Sequence, residues 1–212
     1  MRFLITGGSG LIGRVLTDSL VRSGHKVVVL SRQPRRITGL PVGASAEWWD
    51  GHTAEGWGSL ASGADAIINL AGENISSGRW TDERKRSILE SRLNAGRAVV
   101  QAVKAAAKKP RRVIQASAAG YYGPCGDEEI TEETPSGQDF LAKVTAEWEA
   151  SMSSLDELGV WRVIIRPGVV LGAGGGAVTR MLLPFRLFVG GRLGNGRQWF
   201  PWIHIADEVG AI

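Results

Sequence analysis

Apolar and polar residues alternate along this chain in short blocks whose period keeps changing. Phe3-Leu4-Ile5 is a continuous apolar run, and from Leu11 to about Ser23 the apolar residues return at helical spacing. Lys26 to Leu30 is a second, fully buried strand pattern, entered through Ser23-Gly24-His25 as a helix stop. Gln33 to Ser45 holds two prolines and two glycines and reads as loop, with a short strand following at Ala46 to Asp50. A short helix over Ala54 to Ser62 is weakened by Gly56 and Gly58. Asp65 to Ala71, Arg112 to Ser117 and Val160 to Arg166 are further core strands. Between them, Thr81 followed by Asp82 and Glu83 starts a long helix reaching about Ala107, stopped by Pro110. Ile88, Leu89, Leu93, Val99, Val100 and Val103 give it one broad apolar face. Phe140 to Leu158 is the next helix.

Strand and helix patterns in alternation predict an α/β fold: a Rossmann-like, doubly wound parallel sheet with right-handed crossovers and strand order 3-2-1-4-5-6. From Gly168 the rhythm changes. A glycine-rich turn leads into apolar Met181 to Val189, then Gly190-Gly191, the aromatic stretch Trp199 to Ile205, and a helix starting near Ala206. Residues 1–167 are therefore expected to form the nucleotide-binding domain and 168–212 the start of a smaller substrate-side region.

The first strand runs into Thr6-Gly7-Gly8-Ser9-Gly10-Leu11-Ile12-Gly13, which satisfies Gly7-x-x-Gly10-x-x-Gly13 and Gly8-x-Gly10-x-x-Gly13 together. Strand, glycine turn, helix is the context in which this fingerprint carries weight among so many glycines. The turn needs positive φ, a pyrophosphate must reach the backbone, and the helix must sit tightly on the sheet. The helix start then offers free N–H groups to the phosphates.

Composition narrows the classes. Hydrophobic residues make up 43% and charged residues 22%, ordinary for a globular protein. Net charge is +4, which suits a small anionic ligand better than a nucleic-acid groove. Cys125 is the sole cysteine, so neither an intrachain disulfide nor a thiolate metal cluster is available. His25, His52 and His204 share no ligand spacing, and no metal is expected. With strand one starting at residue 2 there is no room for a signal peptide, and no apolar run approaches the roughly 20 residues of a membrane span. A cytoplasmic location is the default, although a mature organellar protein would look the same. Expected partners are a small-molecule substrate and at most a second copy in a homodimer, with no nucleic acid and no membrane.

In a doubly wound sheet, ligands collect at the carboxyl ends of the strands. Where an NAD site carries an acid, about 20 residues after the glycines, this chain has Ser31-Arg32, with Arg35 and Arg36 close behind. A guanidinium and a hydroxyl suit a 2′-phosphate, so NADP(H) is the expected cofactor.

Together with the glycine motif, Asn-Leu-Ala-Gly-Glu-Asn-Ile at 69–75, Ala-Gly-Tyr-Tyr-Gly at 119–123 and Arg-Pro-Gly-Val-Val-Leu-Gly at 166–172 resemble short-chain dehydrogenase/reductases. Met-Leu-Leu-Pro-Phe-Arg-Leu at 181–187 and Gly-Arg-Gln-Trp-Phe-Pro-Trp-Ile-His-Ile at 196–205 are similar to an extended, atypical branch. That branch is the epimerase family proteins, also labelled cell-division-inhibitor-like. The resemblance implies an oxidoreductase or nucleotide-sugar-epimerase-like enzyme on a small carbonyl or hydroxyl compound. It places the pyrophosphate on Gly7, Gly10, Leu11, Ile12 and Gly13, and the 2′-phosphate on Ser31 and Arg32. Leu70, Ala71 and Gly72 would line the adenine and ribose side, Arg92 would stand against the cofactor, and Val169 and Val170 would meet the nicotinamide. Extended relatives continue beyond the equivalent of Ile212. The chain is therefore expected to be a fragment whose apolar patch near Trp199 and Trp202 is exposed or covered by a partner.

The catalytic pattern of that superfamily is Ser…Tyr-x-x-x-Lys. Ser117 is near the serine place, Lys143 fits the lysine place with Glu147 one turn on, and Asp139 stands where the tyrosine would be. Tyr121 and Tyr122 are the alternative proton donors. The missing tyrosine keeps open a second reading, an NADP(H)-binding regulatory or scaffold protein without catalysis. Trp148 and Trp161 are expected in the core, and His204 as a hydrogen-bonded structural residue.

Overall fold

Six strands, β1 (Arg2–Thr6), β2 (Lys26–Ser31), β3 (Ala44–Trp48), β4 (Ala66–Asn69), β5 (Arg112–Ala116) and β6 (Trp161–Ile165), form one sheet in the order β3-β2-β1-β4-β5-β6. Every pairing is parallel. This is the expected Rossmann-like order, seen in a computed structural model that describes residues 1–173, 175–192 and 194–212. Parallel strands need crossovers, and α1 (Leu11–Arg22), α2 (Asp82–Ala105) and α3 (Phe140–Ala150) supply them.

The strands are apolar on both faces because both are covered. Leu4, Ile67 and Val113 pack on one side with Ala95, Ala98, Val99, Ala102 and Val103 of α2. Their chain neighbours Ile5 and Ile68 turn to the other side and meet Leu16 of α1. Each such side chain, fully buried, contributes about 1.5–3 kcal/mol, so the strand ends that carry polar groups rest on a stiff base.

Several boundaries differ from the sequence expectation. Residues 54–62 form only a 3₁₀ turn at Gly58–Ala61, in keeping with Gly56 at φ +80°. The helix expected to reach Leu158 stops at Ala150; the Ser151 hydroxyl donates back to the Trp148 carbonyl at 2.6 Å, and a 3₁₀ turn follows at Ser153–Leu158. Trp148 is buried as expected, whereas Trp161 is 63% exposed. It opens the edge strand β6, and its ring lies under the Arg112 guanidinium, 4.9 Å from ring centroid to Cζ.

After β6, β7 (Val169–Leu171) pairs in parallel with β8 (Trp202–His204) as a separate two-stranded sheet. The apolar segment from Met181 lies partly in α4 (Gly176–Arg186), and α5 (Ile205–Ala211) follows β8. The Nδ1 of His204 accepts the Ala206 N–H and caps α5, the structural role expected of it. Trp199 and Trp202 are 72% and 61% exposed. Among the described residues, no helix is long and apolar enough to cross a membrane.

Candidate functional site

The carboxyl ends of β1, β2 and β4 open into a cleft of about 650 Å³. Its base is the glycine turn. Gly7 has φ +70°, and a Cβ there would stand 2.7 Å from the backbone of Leu70, so the turn and the end of β4 touch backbone to backbone. A Cβ at Gly13 would stand 2.5 Å from Gly8 Cα and 2.6 Å from Gly7 O, which seats α1 directly on the turn. Gly10 differs: the sole atom near its Cβ position is Gly7 O at 3.2 Å. That bare surface faces the cleft.

Gly10 is also the N-cap of α1, and neither a side-chain cap nor an acidic residue neutralises that helix start. Its N–H groups and partial positive charge are left for an anion. The Thr6 hydroxyl and Asn69 Oδ1 lie 2.5 Å apart, tying the ends of β1 and β4, and Ala71 N–H also donates to that oxygen. Asn69 Nδ2 is buried without a partner among the described residues.

At the end of β2, Ser31 Oγ accepts the Gln33 N–H at 3.1 Å. The stem of Arg32 lies against Gly51, with Cδ 3.4 Å from where a Cβ would be, and its head is exposed. Arg14, Arg32 and Arg36 line the cleft against a single carboxylate, Glu73, whose Oε1 is paired to Arg84 at 2.8 Å. The cleft is therefore a positive, open trough, suited to a phosphorylated ligand.

Of the residues read from sequence, Gly7, Gly10, Ser31, Arg32, Leu70, Ala71 and Gly72 meet in this cleft. Leu11, Ile12 and Gly13 form the helix start behind it. Arg92 stands against Gly72, its Cζ 3.1 Å from where a Cβ would be; Nη1 donates to the carbonyls of Ile88 and Glu73, and the guanidinium covers the Trp148 ring at 4.9 Å. Burial pushes its pKa down to about 10, with Glu73 opposing and Arg84 adding to the shift. It remains charged at neutral pH and ties α2 to the loop after Gly72. Val169 and Val170 lie in β7, half-buried, outside the cleft lining.

The second polar centre lies at the ends of β5 and β6. The Ser117 hydroxyl donates to Glu149 Oε1 at 2.6 Å, both residues buried. Arg166 grips that carboxylate with two bonds, Nε to Oε1 at 2.7 Å and Nη2 to Oε2 at 2.8 Å. Its Nη1 reaches Tyr122 Oη at 2.9 Å and the Glu132 carbonyl, and its face lies 3.7 Å from the Tyr121 ring centroid. Hydrogen bonds to Glu149 first, and to Tyr122, raise the Arg166 pKa above its already high ordinary value.

The direction of these bonds limits what each group can still do. An arginine only donates, so Tyr122 Oη accepts from it and keeps its own proton free. A carboxylate only accepts, so the Ser117 proton is committed and only its lone pairs remain. Glu149 was not singled out from sequence, and Arg166 entered only as the start of a motif. Trp148-Glu149 at the end of a helix, facing an Arg that closes the next strand, was the available signal.

Lys143 is not part of this centre. It is exposed on α3 between the buried Ala142 and Val144–Thr145, and among the described residues it shares no hydrogen bond or ion pair with Ser117, Glu149 or Arg166. Asp139, four residues earlier, is the N-cap of α3; its Oδ1 accepts the Ala142 N–H at 2.8 Å. The helix start therefore uses the tyrosine place for a cap.

Three comparisons bear on this geometry. The model of the NAD dependent epimerase/dehydratase family matches residues 3–212. The human epimerase family protein SDR39U1 is 40% identical over 217 positions, covering all of this chain and 69% of its own length. The Bacillus subtilis epimerase family protein YfhF is 38% identical over 221 positions with the same coverage. A crystal structure of the human protein with NADPH superposes with a TM-score of 0.81 at 37% identity, covering 99% of this chain and 68% of that one. A nucleoside-diphosphate sugar epimerase from Corynebacterium glutamicum gives a TM-score of 0.78 at 35% identity, covering the whole of this chain and 42% of that one.

Proposed function

The chain belongs to the NAD dependent epimerase/dehydratase family, and from that premise we infer that it binds NADP(H) and acts as an oxidoreductase or sugar-epimerase-like enzyme on a small carbonyl or hydroxyl compound. One observation carries the cofactor choice: β2 ends in Ser31-Arg32 inside a cleft whose sole carboxylate is already paired. Among the described residues lining the cleft, no unpaired acid stands at the end of β2 to compete with or repel a 2′-phosphate. The human relative crystallised with NADPH supports the same choice.

The residues present fit the cofactor. The bare surface at Gly10 admits a pyrophosphate against the uncapped start of α1. Leu70, Ala71 and Gly72 give the opposite wall, and Arg32 with Ser31 the phosphate end. When bound, NADP(H) supplies or accepts the hydride. The chain's own part is protonic. Tyr122, holding a free O–H while Arg166 fixes its oxygen, is the general acid or base. Ser117 presents lone pairs and so orients a substrate hydroxyl, whereas a serine with a free proton would polarise a carbonyl.

Asp139 as a helix cap, in the place of a tyrosine, favours a second reading, an NADP(H)-binding regulatory protein without turnover. Both readings require the cofactor, which is tested first by titration calorimetry of NADPH and NADH on wild type and Arg32→Ala. A charge-assisted hydrogen bond contributes about 1.5–3 kcal/mol. Arg32 is exposed and screened, so the lower end applies, about tenfold in affinity. The variant should lose that factor for NADPH alone. Equal wild-type affinity for the two cofactors refutes the NADP(H) assignment.

A further inference from the structure

We propose that His52 is a second specificity-determining residue for the 2′-phosphate, working beside Arg32. This rests on the NADP(H) reading and adds a residue that reading does not use. His52 lies in the turn after β3, and the turn is fixed from several sides. Asp50 Oδ1 accepts the backbone N–H groups of His52 and Thr53 at 2.7 and 2.8 Å, and Oδ2 faces the Thr53 hydroxyl at 2.7 Å. The indoles of Trp49 and Trp57 both donate to the Thr53 carbonyl at 2.8 Å.

The ring itself is held from α2. Asn94 Nδ2 stands 3.0 Å from His52 Nδ1. An amide nitrogen can only donate, so Nδ1 accepts and the ring proton sits on Nε2, the nitrogen directed away from Asn94. The imidazole, which lines the cleft, thus keeps an N–H donor that Asn94 does not use.

That cleft position is shared with Arg32. Both residues line the main cleft, and both line a shallower groove of about 430 Å³ continuing from it toward α2. The stem of Arg32 lies on Gly51, the residue before His52. Facing charges on the cleft side are Arg14, Arg36 and the paired Glu73; on the groove side they are Glu83, Arg86 and Glu90, all from α2. An anion seated between Arg32 and His52 is flanked by Arg14 and Arg36 within the cleft; Glu73 is paired to Arg84, Asp50 is bonded to the turn's own N–H groups, and Glu83 and Glu90 are met only in the outer groove. The moiety that fits is a phosphate monoester on the adenosine ribose.

Adenosine 2′,5′-bisphosphate and AMP probe this without any need for turnover, alongside NADPH and NADH. Calorimetry on His52→Ala and His52→Phe should show about tenfold weaker binding of adenosine 2′,5′-bisphosphate and NADPH, with AMP and NADH unchanged. Asn94→Ala should move the same two ligands in the same direction by less. His52→Phe keeps a ring, so equal losses for phosphorylated and unphosphorylated ligands in the alanine variant, restored by phenylalanine, would assign His52 to the base and overturn the proposal. Unaltered binding in both variants, with Arg32→Ala losing its preference, overturns it too while leaving the cofactor reading intact. A wild type that does not distinguish adenosine 2′,5′-bisphosphate from AMP defeats the cofactor reading itself.

Discussion

The glycine turn makes a sharp prediction because two of its glycines are needed for different physical reasons. At Gly13 an added Cβ meets three backbone atoms at 2.5, 2.6 and 2.8 Å, none of which can swing aside. Ordinary carbon contacts lie at about 3.5–4.0 Å, so α1 must shift off the turn. Overpacking of that kind costs about 1–3 kcal/mol, and contact with unyielding backbone puts it at the upper end. Alanine returns about 1 kcal/mol of helix propensity. The net loss for Gly13→Ala is then about 2 kcal/mol, a fall of about 4–8 °C in Tm for a chain of this size. At Gly10, φ −75° and ψ 178° suit alanine and the nearest atom is at 3.2 Å, so only about 0.5–1 kcal/mol of N-cap preference is lost. The new methyl nevertheless projects into the cleft where the pyrophosphate must lie. Gly10→Ala should therefore melt within about 4 °C of wild type and bind NADPH at least 100-fold more weakly, whereas Gly13→Ala should lose both stability and affinity. Thermal melts and NADPH fluorescence titration separate the two. A Gly10→Ala protein with wild-type affinity would refute the placement of the pyrophosphate.

Glu149→Ala removes the carboxylate that both Ser117 and Arg166 use, with side-chain exposures of only 9% for Glu149 and 18% for Arg166. Breaking such a pair costs about 3–5 kcal/mol, and urea unfolding that moves by less than about 1 kcal/mol would show the network to be slack. The Arg162 hydrogen bond lowers the Asp156 pKa, with burial opposing and the charge of Arg162 helping. Its stabilisation is thus present above the ordinary carboxylate value of 3.8 and is lost as pH falls through the lower folded value. Asp156 is half exposed, so Asp156→Asn should cost no more than about 1 kcal/mol at pH 7, and progressively less as pH falls below 3.8. A gap between wild type and variant that does not narrow with that fall contradicts the assignment.

What the sequence made legible was whatever rests on periodicity and on backbone need. Strand order, the long α2 capped by Thr81, and the glycine turn are all of that kind, because burial on both faces and positive φ constrain residue type directly. Residues that act by reaching across the fold were not legible. Glu149 and Arg166 are 17 positions apart and belong to different elements. His52 looked like turn filler because its partner Asn94 is 42 residues away. Lys143 matched a spacing, but spacing says nothing of which side of α3 is buried, and the end of that helix was hidden because a serine back-bond stopped it without glycine or proline. The bonds of Arg92 to the carbonyls of Ile88 and Glu73, the latter 19 residues away, are likewise invisible in the spacing.

The order in which the site residues occur along the chain has a consequence for folding. The cleft lining runs from Gly7 to Ser91, while the Ser117–Glu149–Arg166 centre comes entirely afterwards. During synthesis, the trough for the phosphates is therefore spelled out before any residue of the second polar centre leaves the ribosome. β1, made before β2 and β4, ends up between them and finds its second neighbour only when residues 66–69 arrive. Cofactor captured at that stage would bind the nascent unit and not the open chain, shifting its equilibrium by RT ln(1 + [L]/Kd). NADP(H) would then act on this protein as a template for the phosphate cleft before the second polar centre exists.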